Sequence, residues 1–144
     1  MHITIPKNKN GRDFVIGDIH AHKKRFYRAL ESVDFDKEKD RLFAVGDLID
    51  RGKYPLVILD HLREDWFFST IGNHEQQIFN RFEFPASKGI YTSSVKTQMD
   101  AAELHRHNGG KWFCKLYKTA KENIYHVLKK LPYAMTVSYT HLTL

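Results

Sequence analysis

The sequence has almost no cysteine and no long apolar run. Cys114 is the only cysteine in 144 residues, which excludes an intrachain disulfide, and we expect its thiol to be a small core residue rather than a nucleophile. The first residues contain no apolar stretch of signal-peptide length, and no run of about 18 apolar residues occurs anywhere. The expectation is therefore a soluble cytoplasmic protein with no membrane partner.

Internal repeats, low-complexity segments and zinc-finger spacings are also absent. A hydrophobic content of 42% and a charged content of 28% are typical of one globular domain and not of a disordered chain. The formal net charge of +6 favours anionic partners. We nevertheless interpret the basic stretch 111–130 as a solvated face, and without a recognisable module nucleic-acid binding is not expected. The sequence does not indicate an oligomeric state.

Apolar patterning predicts alternating strands and helices. Strands are predicted at 3–5, 14–16, 42–45 and 66–71 and from residue 133 onward. Helices are predicted at 22–33, from residue 55, from residue 75 and across 120–131, with a loop at 85–89. The turn signal Asn10-Gly11 predicts that the first two strands form a hairpin. The order of elements predicts an α/β layered fold.

A glycine followed by polar side chains comes after each of the first three long strands. The segments are Gly17-Asp18-Ile19-His20, Gly46-Asp47-Leu48-Ile49-Asp50-Arg51-Gly52 and Gly72-Asn73-His74-Glu75. Because ligands bind at the carboxyl ends of strands in open α/β sheets, the three segments are expected to meet. Glycine before each ligand would allow sharp turns and close backbone approach to the substrate.

The residue types in these segments suit a metal site. A mixed set of carboxylates and imidazoles favours Mn, Fe or Zn over calcium. An aspartate can bridge two metals, and such a pair can clamp a phosphate and activate a water molecule. Each segment alone has a structural explanation, such as a helix cap at Asp18 or an ion-paired turn at Asp50 and Arg51. The three together, each after an apolar strand, favour the metal site.

At these residues the chain resembles the calcineurin-like metallophosphoesterase superfamily, most closely the small bacterial and bacteriophage serine/threonine protein phosphatases. The family patterns Gly-Asp-x-His-Gly, Gly-Asp-x-x-Asp-Arg-Gly and Gly-Asn-His-Glu match 17–21, 46–52 and 72–75, and 107–113 is similar to a later Asn-Gly-Gly-x-Trp-Phe segment. The resemblance implies a layered α/β/β/α sandwich. It also implies two divalent metal ions as cofactors, with Mn²⁺ expected first and Fe or Zn as alternatives.

The resemblance assigns a role to each matched residue. Asp18 and His20 would bind the first metal, Asp47 would bridge both metals, and Asn73 would bind the second metal and contact the phosphate. Arg51 would hold the phosphate oxygens, which suits its planar fork. His74, oriented by Asp50, would protonate the leaving group, and metal-bound hydroxide would be the nucleophile. Glu75 could belong to the site or could act only in the structure.

The sequence departs from the family pattern at two places. Ala21 stands where the family has glycine, which removes no ligand. Two further metal-binding histidines of the family have no counterpart, because His141 comes too early for the first of them. We therefore expect residues 1–137 to be the first part of a truncated metallophosphoesterase domain, followed by a non-native tail at 138–144.

The implied activity is hydrolysis of phosphoserine and phosphothreonine in proteins, with dual specificity left open, so the partner would be a phosphorylated protein or a small phosphoester. One alternative is a dinucleoside polyphosphate hydrolase of the symmetrical diadenosine tetraphosphatase type. Those enzymes usually carry alanine and aspartate at the positions of Asp50 and Glu75, which argues against them. The other alternative is an inactive truncated fragment that acts only as a binding module.

Overall fold

The computed structural model describes residues 1–83 and 98–138, so the predicted loop at 85–89, residues 139–144 of the expected tail and His141 lie outside the described residues. The strands are β1 (His2–Ile5), β2 (Asp13–Ile16), β3 (Arg41–Ala44), β4 (Phe67–Ser69) and β5 (Ala134–Val137). The helices are α1 (Lys23–Ser32), α2 (Pro55–Asp60), α3 (Asn73–Glu83), α4 (Gln98–His105), α5 (Lys111–Cys114) and α6 (Lys118–Leu128). A 3₁₀ turn (His61–Arg63) follows α2, and a π-helical segment (Arg106–Gly110) joins α4 to α5.

Two parallel sheets confirm the α/β prediction. The first contains β2, β3 and β4 in that order, with Phe14 opposite Leu42 and Leu42 opposite Phe67. The second pairs β1 with β5. Since β2, β3 and β4 run in the same direction, the loops that follow them leave from one edge of the sheet. The sheet therefore brings the three polar segments to the same end of the molecule.

The predicted opening hairpin is wrong. β1 and β2 lie in different sheets, and β1 instead pairs with β5, which comes more than a hundred residues later. The Asn10-Gly11 turn is real but local, because Asn8 Oδ1 accepts the backbone N–H groups of Asn10 and Gly11. The turn thus changes the direction of the chain between two sheets and does not fold one strand back on the other.

The core lies between the three-stranded sheet and helices α1, α3 and α6. Its buried side chains include Phe26 and Leu30 from α1, Leu42 and Ala44 from β3, Ile78 and Phe79 from α3, and Ile124 and Leu128 from α6. Phe26 and Leu30 are four residues apart, as are Ile124 and Leu128, and this spacing of about one helical turn is the pattern by which the sequence predicted α1 and α6. Pro55 stands at the first turn of α2, where its missing N–H costs nothing.

Cys114 lies at the surface and not in the core. Its thiol is exposed and accepts a weak hydrogen bond from Arg81, whereas Phe113 takes the inward position of the short helix α5. The expectation that Cys114 belongs to the core is therefore wrong. Within 1–83 and 98–138, none of the helices has both the length and the apolar character needed to cross a membrane.

Candidate active site

The loops after β2 and β3 are joined directly through their backbones. Asp47 O accepts the N–H groups of Ile19 and His20 at 3.1 and 2.8 Å, and Leu48 O accepts Ala21 N–H at 2.8 Å. In return, Gly52 N–H donates to His20 O at 2.9 Å. These backbone bonds hold the two polar segments against each other independently of their side chains.

Two glycines allow the loops after β3 and β4 to touch. A Cβ atom on Gly46 would lie 2.3 Å from Gly72 N, and one on Gly72 would lie 2.3 Å from Asp47 N. Gly46 also has a φ of 96°. A Cβ atom on Gly17, by contrast, would meet nothing within 4 Å. Close packing of one loop on another therefore requires glycine at the second and third loops, and the predicted approach of all three glycines to a substrate stays a prediction.

Backbone strain is concentrated in the first two loops. Non-glycine residues with positive φ include His20 (46°), Ala21 (56°), Asp47 (51°), Asp50 (68°) and Arg51 (62°). Each such conformation is unfavourable for an L-residue and persists only where the surroundings determine it. Among them, His20 and Asp47 are predicted metal ligands and Arg51 is the predicted phosphate-binding residue. The strained backbone therefore lies at the predicted functional residues.

Glu75 connects the second loop to the third. Its buried carboxyl group accepts backbone N–H groups from Asp47 (2.8 Å), Leu48 (2.9 Å) and Gly72 (2.9 Å). Burial raises the pKa of Glu75, the nearby charge of Asp47 adds to this, and the backbone donors oppose both. These contacts favour the structural explanation of Glu75, because it holds the loop that carries Asp47.

The side chains of His20, Asp47 and His74 converge. Their potential ligand atoms all lie within 4.8 Å of one another, and all three residues are buried. The Nδ1 atom of His20 pairs with Ile49 O at 3.0 Å, which directs the Nε2 lone pair into the site. Asp47 Oδ1 accepts His74 N–H at 3.0 Å. This donor set of imidazole and carboxylate fits a first-row transition metal.

Asp18 and Asn73 lie at the rim of this group. Asp18 Oδ2 is 3.5 Å from His20 Nε2, and its side chain is 60% exposed. The amide nitrogen of Asn73 donates to Asp47 Oδ2 at 2.9 Å in the orientation that satisfies both groups. That orientation leaves the amide oxygen of Asn73 as the atom available to a metal. All four predicted ligands are therefore neighbours.

Arg51 bridges two of the histidines. Its Nη1 lies 2.9 Å from His20 Nε2, and its Nη2 lies 3.2 Å from His74 Nε2. The two imidazole rings meet edge to face with centroids 4.7 Å apart. Because a guanidinium can only donate, both Nε2 atoms present lone pairs to it. Arg51 therefore stands at the centre of the site with its fork facing the predicted ligands.

Asp50 lies behind His74 and is completely buried. Its Oδ2 pairs with His74 Nδ1 at 2.8 Å and with His105 Nε2 at 3.0 Å, while Oδ1 accepts Trp112 Nε1–H at 2.7 Å. Burial opposes ionisation of this carboxyl group, but hydrogen bonds from His105, His74 and Trp112 outweigh it and lower the pKa of Asp50 to about 2. Asp50 is thus a stable anion that orients His74.

The sequence profile of the calcineurin-like phosphoesterase family matches residues 14–136. The chain belongs to the calcineurin-like phosphoesterase family. This match confirms the resemblance. The mixed α/β structure with its parallel sheets is therefore part of a metallophosphoesterase fold. Three loops of this family member, carrying Asp18, Asp47 and Asn73, meet as the resemblance implied.

The curated relatives of this phosphoesterase have two kinds of name. Serine/threonine-protein phosphatase 1 of Salmonella typhimurium is 34% identical over 94% of this chain and 57% of its own length. A symmetrical bis(5'-nucleosyl)-tetraphosphatase of Nitrosospira multiformis is 36% identical over 43% of this chain and 23% of its own. The chain thus spans little more than half the length of the first relative.

A solved structure shares the fold of this phosphoesterase. The protein, provisionally assigned as a diadenosine tetraphosphatase, superposes with a TM-score of 0.62 at 22% identity. The match covers 94% of this chain and 49% of the other. At that identity the likeness establishes the fold alone.

His105 and Trp112 are parts of the candidate site to which the sequence patterns assigned no role. The interpretation singled out 107–113 as family-like but gave it no role, and His105 stands just before that segment. Arg81 Nη1 lies 3.1 Å from His105 Nδ1, which directs the opposite ring nitrogen at Asp50. A Cβ atom on Gly110 would lie 2.4 Å from the His105 ring, and one on Gly109 would lie 2.6 Å from Arg51 N. The two glycines therefore let this segment pack against the site.

Proposed function

We propose that this phosphoesterase is a metal-dependent phosphoprotein phosphatase that hydrolyses phosphoserine and phosphothreonine. The observation that carries the proposal is the convergence of His20, Asp47 and His74 around the guanidinium of Arg51. The overall likeness to a serine/threonine-protein phosphatase over nearly the whole chain supports this substrate class.

Two divalent ions, with Mn²⁺ as our first choice, would be held by Asp18, His20, Asp47 and Asn73 and would supply an activated water and Lewis acidity. The buried position of Asp47 between the other ligands suits the bridging role. The Ile49 carbonyl and the N–H of His74 orient His20 and Asp47, as supporting groups do in metal sites.

Arg51 is proposed to bind the phosphate. Its fork contacts the Nε2 atoms of His20 and His74, and a ring-nitrogen lone pair is a weaker partner for a guanidinium than a phosphate dianion is. An entering phosphate would therefore draw the guanidinium away from the histidines. That transfer frees His74 Nε2 to carry a proton.

His74 is proposed to protonate the leaving alkoxide. Its Nδ1 is paired with the anionic Asp50, so Nε2 is the nitrogen that faces the substrate. The negative charge of Asp50 stabilises the imidazolium form that an acid requires. Serine and threonine alkoxides are poor leaving groups, so this proton has a large effect on their hydrolysis.

A dinucleoside polyphosphate hydrolase is the second candidate. It is favoured by the likeness to symmetrical bis(5'-nucleosyl)-tetraphosphatases across the motif-bearing part of the chain. Comparing hydrolysis of a phosphoserine peptide with that of diadenosine tetraphosphate separates the two candidates. We expect the larger kcat/KM for the phosphopeptide, and the reverse order would replace the first proposal by the second.

The test of catalysis uses p-nitrophenyl phosphate and Mn²⁺ with the wild-type chain, Asp47→Asn and His74→Asn. Asparagine suits the positive φ of Asp47 and removes only the charge. We expect Asp47→Asn to abolish turnover. A wild-type chain without Mn²⁺-dependent turnover would instead support the binding-module alternative for this chain.

The His74→Asn variant tests the proton donor with two leaving groups. We expect turnover of phenyl phosphate to fall on the order of tenfold more than turnover of p-nitrophenyl phosphate, because phenoxide needs a proton more. Equal losses for the two substrates would contradict the acid role.

A further inference from the structure

A basic cavity opens beside Arg51. It has a volume of about 380 Å³ and lies between the start of α1 and the loop that leads into α2. Its lining includes Lys23, Lys24, Arg25, Arg51, Lys53 and Tyr54, and it contains no acidic side chain. This volume lies within the range of about 300–1,000 Å³ that is usual for small-molecule binding sites.

Three of the cations in this cavity have no ionic partner. Lys24, Arg25 and Lys53 are exposed and form no ion pair with any residue in the described parts of the chain. By contrast, Arg12, Arg41 and Lys129 elsewhere on the molecule are paired with carboxylates. Unpaired cations that line one concavity repel each other and raise the local concentration of anions.

Lys23 and Tyr54 form the wall between the two loops. The ammonium group of Lys23 lies 5.7 Å from the ring centroid of Tyr54 and 6.0 Å from that of Tyr27. This cation–π contact keeps the Lys23 charge at the cavity instead of in bulk water. The wall thus has a fixed charge, whereas Lys24, Arg25 and Lys53 are free to turn toward a ligand.

Arg51 connects this cavity to the candidate active site. Its guanidinium contacts His20 and His74, and Arg51 also lines the cavity. A substrate whose phosphate is held at Arg51 would therefore extend past this residue into a region of positive charge.

We propose that this cavity binds a second phosphate group of the substrate, next to the phosphate that is hydrolysed. The inference rests on the proposed function and adds to it a preference for substrates that carry a second phosphate close to the one that is hydrolysed. A phosphate dianion matches several cations better than a single carboxylate does, and arginine and lysine are its usual protein partners.

The binding test uses metal-stripped protein, inorganic tripolyphosphate as the probe and isothermal titration calorimetry at low salt. The cavity variant combines Lys24→Ala, Arg25→Ala and Lys53→Ala, all at exposed positions. The control variant removes the same charge outside the cavity through Arg28→Ala, Lys115→Ala and Lys130→Ala. We expect tripolyphosphate binding to weaken at least about tenfold in the cavity variant and less than about threefold in the control.

Equal weakening of tripolyphosphate binding in both variants would show that overall charge alone causes the effect, and it would overturn the proposal. A wild-type chain that does not bind tripolyphosphate would overturn it as well. Because this test involves no turnover, its result is independent of catalysis. A chain that binds the probe in the cavity but hydrolyses nothing would refute the proposed function and leave the anion site standing.

A second arm identifies the source of the additional phosphate. With Mn²⁺ present, kcat/KM is compared for a peptide with one phosphoserine, the same peptide with two, and diadenosine tetraphosphate. The cavity variant should lose activity on the substrate that supplies the second phosphate and keep its activity on p-nitrophenyl phosphate. Loss with the doubly phosphorylated peptide indicates a protein source, and loss with diadenosine tetraphosphate indicates a nucleotide source. An unchanged preference for all substrates would contradict the proposal.

Discussion

Single residues in the site adopt conformations that their side chains disfavour. Ala21 is the clearest case, because it has a φ of 56°, is fully buried and stands where the family pattern has glycine. The left-handed conformation costs an L-residue about 1–2 kcal/mol. The backbone bond from Ala21 N–H to Leu48 O and the packing of the methyl group hold it in place.

Replacing Ala21 by glycine should therefore be far less harmful than a buried alanine-to-glycine change usually is. We expect the free energy of unfolding to stay within about 0.5 kcal/mol of wild type, since relief of the strained φ offsets the lost methyl group. Ala44→Gly is the matched control, because Ala44 is equally buried in the regular strand β3, and it should lose about 1–2 kcal/mol. Urea unfolding measures both. Similar losses at the two positions would show that Ala21 is not strained.

His105 is a positioning residue for the Asp50–His74 pair. Its ring fills a buried space against Phe113 and Gly110, so His105→Phe keeps most of the volume and removes the donor to Asp50. We expect the pKa of Asp50 to rise from about 2, because burial persists while one of the donors that lower it is gone. The same change should cost about 1–3 kcal/mol of stability through the lost charged hydrogen bond.

A ¹³C NMR titration of the Asp50 carboxyl group measures this shift in pKa. The matched control is His107→Phe, two residues further along, where the histidine is exposed and, among the residues that the structure describes, forms an ion pair with Glu103 alone. An Asp50 pKa that is the same in both variants would exclude His105 from the support of Asp50.

At the scale of secondary-structure elements, β2 and β3 are tied together before they reach the site. Asp40, just ahead of β3, accepts Arg12 N–H at 2.8 Å and Arg12 Nη2–H at 2.6 Å, and it also accepts Asp36 N–H at 3.1 Å. Arg41 and Asp13 form a second pair across the two strands. These contacts set the register that places the loops after β2 and β3 side by side.

The Asp40 contacts make a pH-dependent contribution to stability. Hydrogen bonding with Arg12 lowers the pKa of Asp40 from 3.8 to about 2, against the effect of burial. Because the folded state binds this proton more weakly than the unfolded state, the stabilisation is present above about pH 4 and is lost as the pH falls toward 2. Asp40→Asn should therefore lose about 1–3 kcal/mol at pH 7, and its deficit should shrink below about pH 4.

Urea unfolding of wild type and Asp40→Asn from pH 7 to pH 2 tests this expectation. Asp65→Asn serves as a control, since Asp65 is exposed and forms no ion pair with the described residues. A deficit of constant size across the whole pH range would contradict the assignment.

At the scale of the whole molecule, α6 closes the core beneath the site. Leu128 is fully buried in the same cluster as Ile78, Phe79 and Leu48, which lie in or beside the site loops and α3. The far end of the chain thereby contributes to holding the elements that carry Asp47 and His74.

Truncating Leu128 to alanine should lower the free energy of unfolding by about 2–5 kcal/mol, because it leaves a cavity in this cluster. Leu56→Ala is the matched control, as Leu56 is also helical but 47% exposed, and it should lose less than about 1 kcal/mol. Guanidinium unfolding followed by tryptophan fluorescence compares them. A small loss at Leu128 would mean that α6 packs loosely on the core.

The sequence by itself determined the alternation of strands and helices from β2 to α3 and the polar residues that follow the strands, whereas it did not predict helices α4 and α5. Local periodicity predicted α1, α3 and α6, and the three polar segments predicted that Asp18, His20, Asp47 and Asn73 would meet. This was possible because parallel strands present their carboxyl ends at one edge, so position along the chain specifies position in space.

Only the tertiary structure decided the contacts between distant parts of the chain. Asp50 meets His105 and Trp112 across 55 and 62 residues, and β1 pairs with β5 instead of with β2. No periodicity or spacing encodes such contacts, because they depend on how packed elements are placed against each other. The hydrogen bonds from His105 and Trp112 to Asp50 and the basic cavity beside Arg51 therefore form only when the chain is folded.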